Sequence, residues 1–244
     1  MQNQTFTEGK DIWFGVYNDF KECKKSLNIK TSFFNKTRWI GSQEKILKEN
    51  NCVKRNKSLL VKYLIKKKIY NYDILDLGGG IAIEYLNLRK YYNHLIPNKY
   101  FIVEERMIRK KIRELNIKQI FIINEKTQIN NIDLFYACNS IHYVENLDML
   151  IKYFSKITKT IILSGILINN FSFITAQYYY GEWIPVNFYS LNKLKKFFKE
   201  LGFVLVYKKK SDYRYFGKSK KLPLNNFNEE YRKSTKLDLI FERL

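Results

Sequence analysis

Residues that cross-link a chain or hold a metal are scarce here: three cysteines and two histidines among 244 residues. Cys23, Cys52 and Cys138 are odd in number, widely spaced and without a Cys-x-x-Cys pair, which argues against a disulfide framework or a zinc site. With only His94 and His142 to add, no metal centre is expected. Long apolar runs are also missing. The longest, Thr160 to Ile168, covers about nine residues and contains Ser164 and Gly165, against the roughly 20 that a bilayer requires. Met1 to Lys10 is polar and has no leader-like apolar segment, so a soluble cytoplasmic protein is expected. Acidic residues are the other shortage, with 23 Asp and Glu against 44 Lys and Arg and a formal charge of +21. Such a balance attracts anions, whether nucleic acid, phosphorylated metabolites or anionic membrane. Lys, Asn, Ile, Tyr and Phe are abundant together, however, as in proteins from AT-rich genomes, where lysine simply covers solvated faces. Charge alone does not choose the partner.

What is present is the composition of a folded protein: 45% hydrophobic and 16% aromatic residues, too apolar for a disordered chain. The length suits one main domain with an appended cap. Residues 1–57 mix aromatics (Phe6, Trp13, Phe14, Tyr17, Phe20, Phe33, Phe34, Trp39) with polar turns and show no sustained period, and read as an aromatic cap or lid. Ser58 is a candidate N-cap for a helix through Leu59, Leu60, Tyr63 and Leu64 that ends in Lys66-Lys67-Lys68. From Asp73 onward short buried strands alternate with helical stretches, the pattern of a mostly parallel sheet with helices on both faces. The strands are 73–77, 100–103, 119–123, 132–137 and 160–165, with two more at 203–207 and 237–241. Leu147, Leu150, Ile151 and Phe154 mark one buried helical face. Leu191, Leu194, Phe198 and Leu201 mark another, capped by Ser190 and closed by Gly202. Residues 167–189 break this rhythm with a long aromatic stretch carrying Gly181 and Pro185, and are expected to form a loop over the active site. Lys208-Lys209-Lys210 and Lys218-Ser219-Lys220-Lys221 read as solvated faces or an anion-docking surface.

The most informative stretch is Asp76-Leu77-Gly78-Gly79-Gly80-Ile81-Ala82. Three adjacent glycines belong where φ is positive or where backbone must approach a ligand closely. In an open parallel sheet, ligands bind beyond the carboxyl ends of the strands, so Asp76, Gly78 to Gly80, Glu104 and Asn139 to Tyr143 should share one crevice. A dinucleotide site wants Gly-x-Gly-x-x-Gly, but its third glycine is Ile83 here. A carboxylate ending the first strand also suits a cationic cofactor better than a pyrophosphate.

Asp76-x-Gly78-x-Gly80-x-Ala82 resembles the Asp-x-Gly-x-Gly-x-Gly signature of class I S-adenosylmethionine-dependent methyltransferases, with Ala82 in place of the last glycine. The resemblance covers about residues 58–208. It implies a Rossmann-like seven-stranded sheet whose last strand is antiparallel, S-adenosylmethionine as cofactor, and ribose binding by Glu104. Asn124 would lie near the adenine, and Asn139 on the cofactor side of the crevice. Trp13-Phe14-Gly15-Val16-Tyr17, Asn139-Ser140-Ile141-His142-Tyr143-Val144, Thr175-Ala176-Gln177 and Trp183-Ile184-Pro185 extend the likeness. Together with the glycine turn they resemble the methyltransferases found with bacterial surface-polysaccharide and capsule genes.

That resemblance implies a pathway more firmly than a substrate, and the leading expectation is methyl transfer to an oxygen of a sugar or of a phosphorylated or nucleotide-linked precursor. Alignment of acceptor and methyl group is the main demand. His142 is the candidate base for a hydroxyl acceptor, although an already anionic acceptor oxygen needs none. Trp13, Tyr143, Gln177, Tyr178 and Tyr180 are candidate acceptor contacts. An RNA methyltransferase is the alternative enzyme, disfavoured because no nucleic-acid module is evident; a non-catalytic scaffold is the other. The sequence leaves the oligomeric state open.

Overall fold

The computed structural model describes residues 12–29, 40–42, 44–45, 58–123, 129–179, 181–212 and 222–244. The chain opens with β1 (Trp13–Tyr17), α1 (Phe20–Ser26) and α2 (Leu59–Lys67). It continues through β2 (Asp73–Leu77), α3 (Ile83–Tyr91), β3 (Lys99–Val103), α4 (Arg106–Glu114), β4 (Ile120–Ile122), β5 (Ile132–Cys138) and α5 (Leu147–Ser155). Next come β6 (Thr158–Asn169), β7 (Phe173–Tyr179), β8 (Glu182–Ser190), α6 (Leu191–Glu200), β9 (Phe203–Lys210), α7 (Glu229–Arg232) and β10 (Thr235–Arg243).

Seven of these strands form the expected sheet, in the order β4-β3-β2-β5-β6-β10-β9. Its pairs are parallel except the two made by β10. β2 lies near its middle, and Ile74, Leu75 and Leu77 are all buried, as befits a strand covered on both faces. One face packs on α5 and α6 through Ile151, Phe154, Leu194 and Phe198. The other packs on α2, α3 and α4 through Leu60, Leu64, Tyr85, Leu88, Ile108 and Ile112. β9 is an edge strand, and its Lys208, Lys209 and Lys210 are exposed, a charge arrangement that discourages edge-to-edge pairing.

Local signals set the helix ends. Ser58 caps α2, its Oγ accepting the Val61 N–H at 3.2 Å, and Lys68 in a left-handed conformation closes that helix. Ser190 also stands at an N-cap, but its hydroxyl donates to the Asn170 carbonyl at 3.1 Å instead of capping α6. Gly202, with φ of +82°, follows α6 as expected.

Two departures from the sequence reading matter for function. Residues 173–190 form an antiparallel hairpin of β7 and β8 rather than an irregular loop, with Tyr179 opposite Glu182 across the turn. β1, from the segment read as an unpatterned cap, adds to β7 with Trp13 opposite Gln177. β8 then joins the main sheet where Ile168 pairs with Tyr189 and Asn169 with Ser190. Ten strands are thus connected. The alternation was masked because both faces are aromatic. Trp13, Phe173, Val186 and Phe188 line a buried core with Leu222, Leu224 and Phe227. On the half-buried side, Trp183 contacts Phe14 at 5.8 Å and Tyr178 at 4.9 Å between ring centroids. Trp13 is entirely buried and edge-on to Phe188, which gives it a place in the packing of the hairpin. Trp13→Ala is expected to cost about 3–5 kcal/mol in denaturant unfolding; a loss below about 1 kcal/mol would contradict that packing role.

Candidate functional site

The glycine turn leaves β2 at its carboxyl end. Gly78 and Gly80 have φ of +69° and +60°. A Cβ on Gly78 would lie 2.6 Å from the Ser140 Cβ, and one on Gly79 would strike the Asp76 carboxylate. The first two glycines therefore admit side chains against the backbone, and the first and third also supply the left-handed geometry. Ala82, which replaces the last glycine of the motif, is buried and keeps the left-handed conformation at φ of +59°.

The Gly78 N–H donates to the Val103 carbonyl at 2.9 Å, extending the β2–β3 ladder and carrying Glu104 to the turn. Glu104 accepts the Gly80 N–H at 2.6 Å on one oxygen and the Glu105 N–H at 3.0 Å on the other. Burial raises it to about 7 despite these hydrogen bonds. Asp76 is 1% exposed. The Tyr100 hydroxyl donates to its Oδ2, and its Oδ1 has no hydrogen-bond partner among the described residues. Burial raises Asp76 to about 8, with Glu84 and Glu104 adding repulsion. The carboxyl groups of Asp76 and Glu104 thus stand together at the glycine turn of a chain of charge +21.

The turn after β5 completes the site. Ser140 donates to the Leu77 carbonyl at 2.5 Å, joining the ends of β5 and β2. His142 lies in a short 3-10 turn, Ile141–Tyr143. Two residues of the hairpin hold this turn: Tyr189 donates to the Ile141 carbonyl at 2.9 Å, and Tyr143 donates to the Gln177 carboxamide oxygen at 2.7 Å. His142 is 2% exposed, and its Nδ1 has no hydrogen-bond partner among the described residues. Burial, then the charge of Lys236, holds it well below the usual imidazole range, so it is neutral at pH 7.

Asn139 has φ of +53°, and its Oδ1 accepts from the Lys236 Nζ at 3.0 Å. Its carboxamide lies against Gly165, where a Cβ would collide with it. That contact depends on a bulge. Leu163 pairs with Leu239 and Ile166 with Leu237, so Ser164 and Gly165 together oppose Asp238, with Gly165 left-handed at φ of +67°. Asp238 accepts from the Ser164 hydroxyl at 3.0 Å and the Gly165 N–H at 2.8 Å.

Asp76, Gly78, Gly79, Gly80 and Glu104 thus meet in one crevice. Ser140 links them to the turn bearing Asn139, His142 and Tyr143, and Gln177 reaches that turn from β7. Asn139 turns its carboxamide oxygen to Lys236. Asn124 and Tyr180 lie outside the described residues, as do Cys52, the Lys218–Lys221 run, Phe6, Phe33, Phe34 and Trp39. Lys236 was missed by sequence reasoning. Its only signal was the alternation of Lys236 and Asp238 with Leu237 and Leu239 in an apolar strand. Among the described residues there is no group of three or more His, Cys, Asp or Glu placed to hold a metal, and no helix is long and apolar enough to cross a membrane.

No protein-family model matches the sequence, and no curated protein matches it. Solved structures do match its fold. An S-adenosylmethionine-dependent methyltransferase from Clostridium acetobutylicum is 13% identical with a TM-score of 0.52, over 84% of this chain and 98% of that one. A Haloferax volcanii protein crystallised with the Trm112 methyltransferase activator is 10% identical with a TM-score of 0.52, over 84% and 94%. YcgJ from Bacillus subtilis is 11% identical with a TM-score of 0.50, over 75% and 97%. The chain has the Rossmann-like α/β fold of these proteins.

The buried carboxyls carry a pH signature. With Asp76 raised from 3.8 to about 8, the native state retains a proton that the unfolded chain has lost throughout that interval. The stabilisation is present below about pH 4 and is lost as pH rises through about 8. Subtracting the unfolding free energy of Asp76→Asn from that of the unaltered protein isolates this contribution. The difference should fall between pH 5 and 8 by up to about 1.4 kcal/mol per pH unit. A difference independent of pH in urea unfolding would show that Asp76 is not protonated.

Proposed function

We propose that this protein is an S-adenosylmethionine-dependent O-methyltransferase acting on a sugar or phosphorylated precursor of a bacterial surface polysaccharide. The observation that carries this reading is the acidic glycine-turn crevice of Asp76, Gly78 to Gly80 and Glu104 at the strand ends of a methyltransferase fold. The residues fit the cofactor. Asp76 has a buried oxygen without a hydrogen-bond partner among the described residues, suited to a ligand with an ammonium and a sulfonium, and Glu104 follows β3 where ribose hydroxyls would replace the Gly80 N–H as its partner. When bound, S-adenosylmethionine supplies an electrophilic methyl group on a positively charged sulfur.

The chain's own part is alignment and proton removal. His142 is neutral, buried and held in place by Tyr189 through Ile141 and by Gln177 through Tyr143, so its free Nδ1 can take the hydroxyl proton of an acceptor. Gln177 and Tyr143, bonded to each other beside His142, are the proposed acceptor contacts. The surface-polysaccharide assignment is supported by the sequence likeness of the β1, β5-turn and hairpin segments.

Calorimetric titration with S-adenosylmethionine should show binding, weakened about tenfold or more by Glu104→Ala; the absence of heat would favour a scaffold role. With labelled cofactor and a panel of nucleotide sugars, phosphorylated sugars and RNA, transfer is expected to a sugar-containing acceptor. On that acceptor His142→Ala should lower turnover about a hundredfold or more with little change in cofactor affinity. Transfer to RNA alone would replace this reading.

A further inference from the structure

Lys236 is 7% exposed, an unusual position for a lysine among the many that cover the surface of this chain. It lies on β10 opposite Leu167, and its Nζ is 3.0 Å from the Asn139 Oδ1. That oxygen belongs to the first residue of the turn bearing His142, and the next residue, Ser140, is bonded to the cofactor turn. Among the described residues, the groups facing Lys236 include Asn139 and Cys138 at the end of β5, His142 in the 3-10 turn, and Asp238 on its own strand. The arrangement is built rather than incidental: it needs a left-handed Asn139, a left-handed Gly165 and the Ser164–Gly165 bulge. Bulges and sparsely populated backbone conformations of this kind concentrate beside active sites.

We propose that Lys236 is the anion-binding residue of the acceptor site, holding a phosphate or carboxylate oxygen of the methyl acceptor beside His142. This rests on the methyltransferase reading of the same crevice. Burial lowers Lys236 to about 7, although Cys138 and Asp238 act to raise it, so the group is poised between amine and ammonium. An anion arriving there favours the ammonium and compensates its buried charge. The acceptor hydroxyl is then presented to His142. As the acceptor oxygen bonds the methyl carbon, the carbon–sulfur pair returns to sulfur and the hydroxyl proton passes to His142 Nδ1. Atoms and charge balance with the thioether, the methyl ether and an imidazolium that later releases its proton to water.

The test uses the full chain, with inorganic phosphate and acetate as separate probes. The side-chain NMR signal of Lys236, identified by its disappearance in Lys236→Met, is titrated with pH in the absence and presence of each. We expect a midpoint near 7 alone and above 8 with the preferred anion. Phosphate as the stronger probe would indicate a phosphorylated acceptor, and acetate a carboxylate. Lys236→Met should bind that anion at least tenfold more weakly while binding S-adenosylmethionine within about twofold of the unaltered protein. If neither anion moves the midpoint, or Lys236→Met binds both as well as before, the proposal is overturned. If Lys236→Met does not fold, the midpoints of the unaltered protein decide. Loss of cofactor binding by the unaltered protein would instead refute the methyltransferase reading, leaving the anion result to stand by itself.

Discussion

The contact between the Ser140 hydroxyl and the Leu77 carbonyl is the constraint through which the site is assembled. It ties together the carboxyl ends of two neighbouring strands at the place where chain connections run away in opposite directions. It is possible because Gly78 has no Cβ to meet Ser140. From this junction the cofactor side extends through Gly80 to Glu104, and the other side through Asn139 to Lys236 and through His142 and Tyr143 to the hairpin. A substitution at the junction would therefore disturb groups on both sides together.

The electrostatics oppose the composition. A chain dominated by lysine places carboxyl groups where its strands end and buries them at a cost in solvation. That cost is relieved by proton uptake at Asp76 and Glu104. A cation entering the crevice would exchange places with those protons, linking occupancy of the site to pH. Lys236 has the reverse character, since burial there removes a proton and an anion restores it. The two sides of the junction thus bury groups of opposite sign.

How much was legible in the sequence depended on the range of each signal. Asp73–Leu77 as a strand, Ser58 as a cap and Gly202 as a helix terminus rest on neighbouring residues, and the structure places all three where the pattern did. The seven-stranded sheet was implied by the resemblance, and its middle was readable because β2, β3 and β5 are each followed by a helical stretch. The pairing of Trp13 with Gln177 had no local signature, and Pro185 and Gly181 made the hairpin look like a loop. Among the site residues, Asp76, Glu104 and His142 were visible from their place at strand ends. Lys236 was one lysine among many until a bulge in another strand brought it to Asn139.

The hydrogen bonding of the hairpin has a kinetic consequence. β8 is paired to β6 at Ile168 and Asn169, and Tyr189 and Gln177 are bonded to the turn bearing His142. A swing of β7 and β8 as a hinged lid would break those contacts and release the turn bearing His142 from its seat. These bonds favour a hairpin that stays seated as a wall beside the turn. If the proposed transfer takes place here, its pace should be set by events beside the turn rather than by opening and closing of these strands.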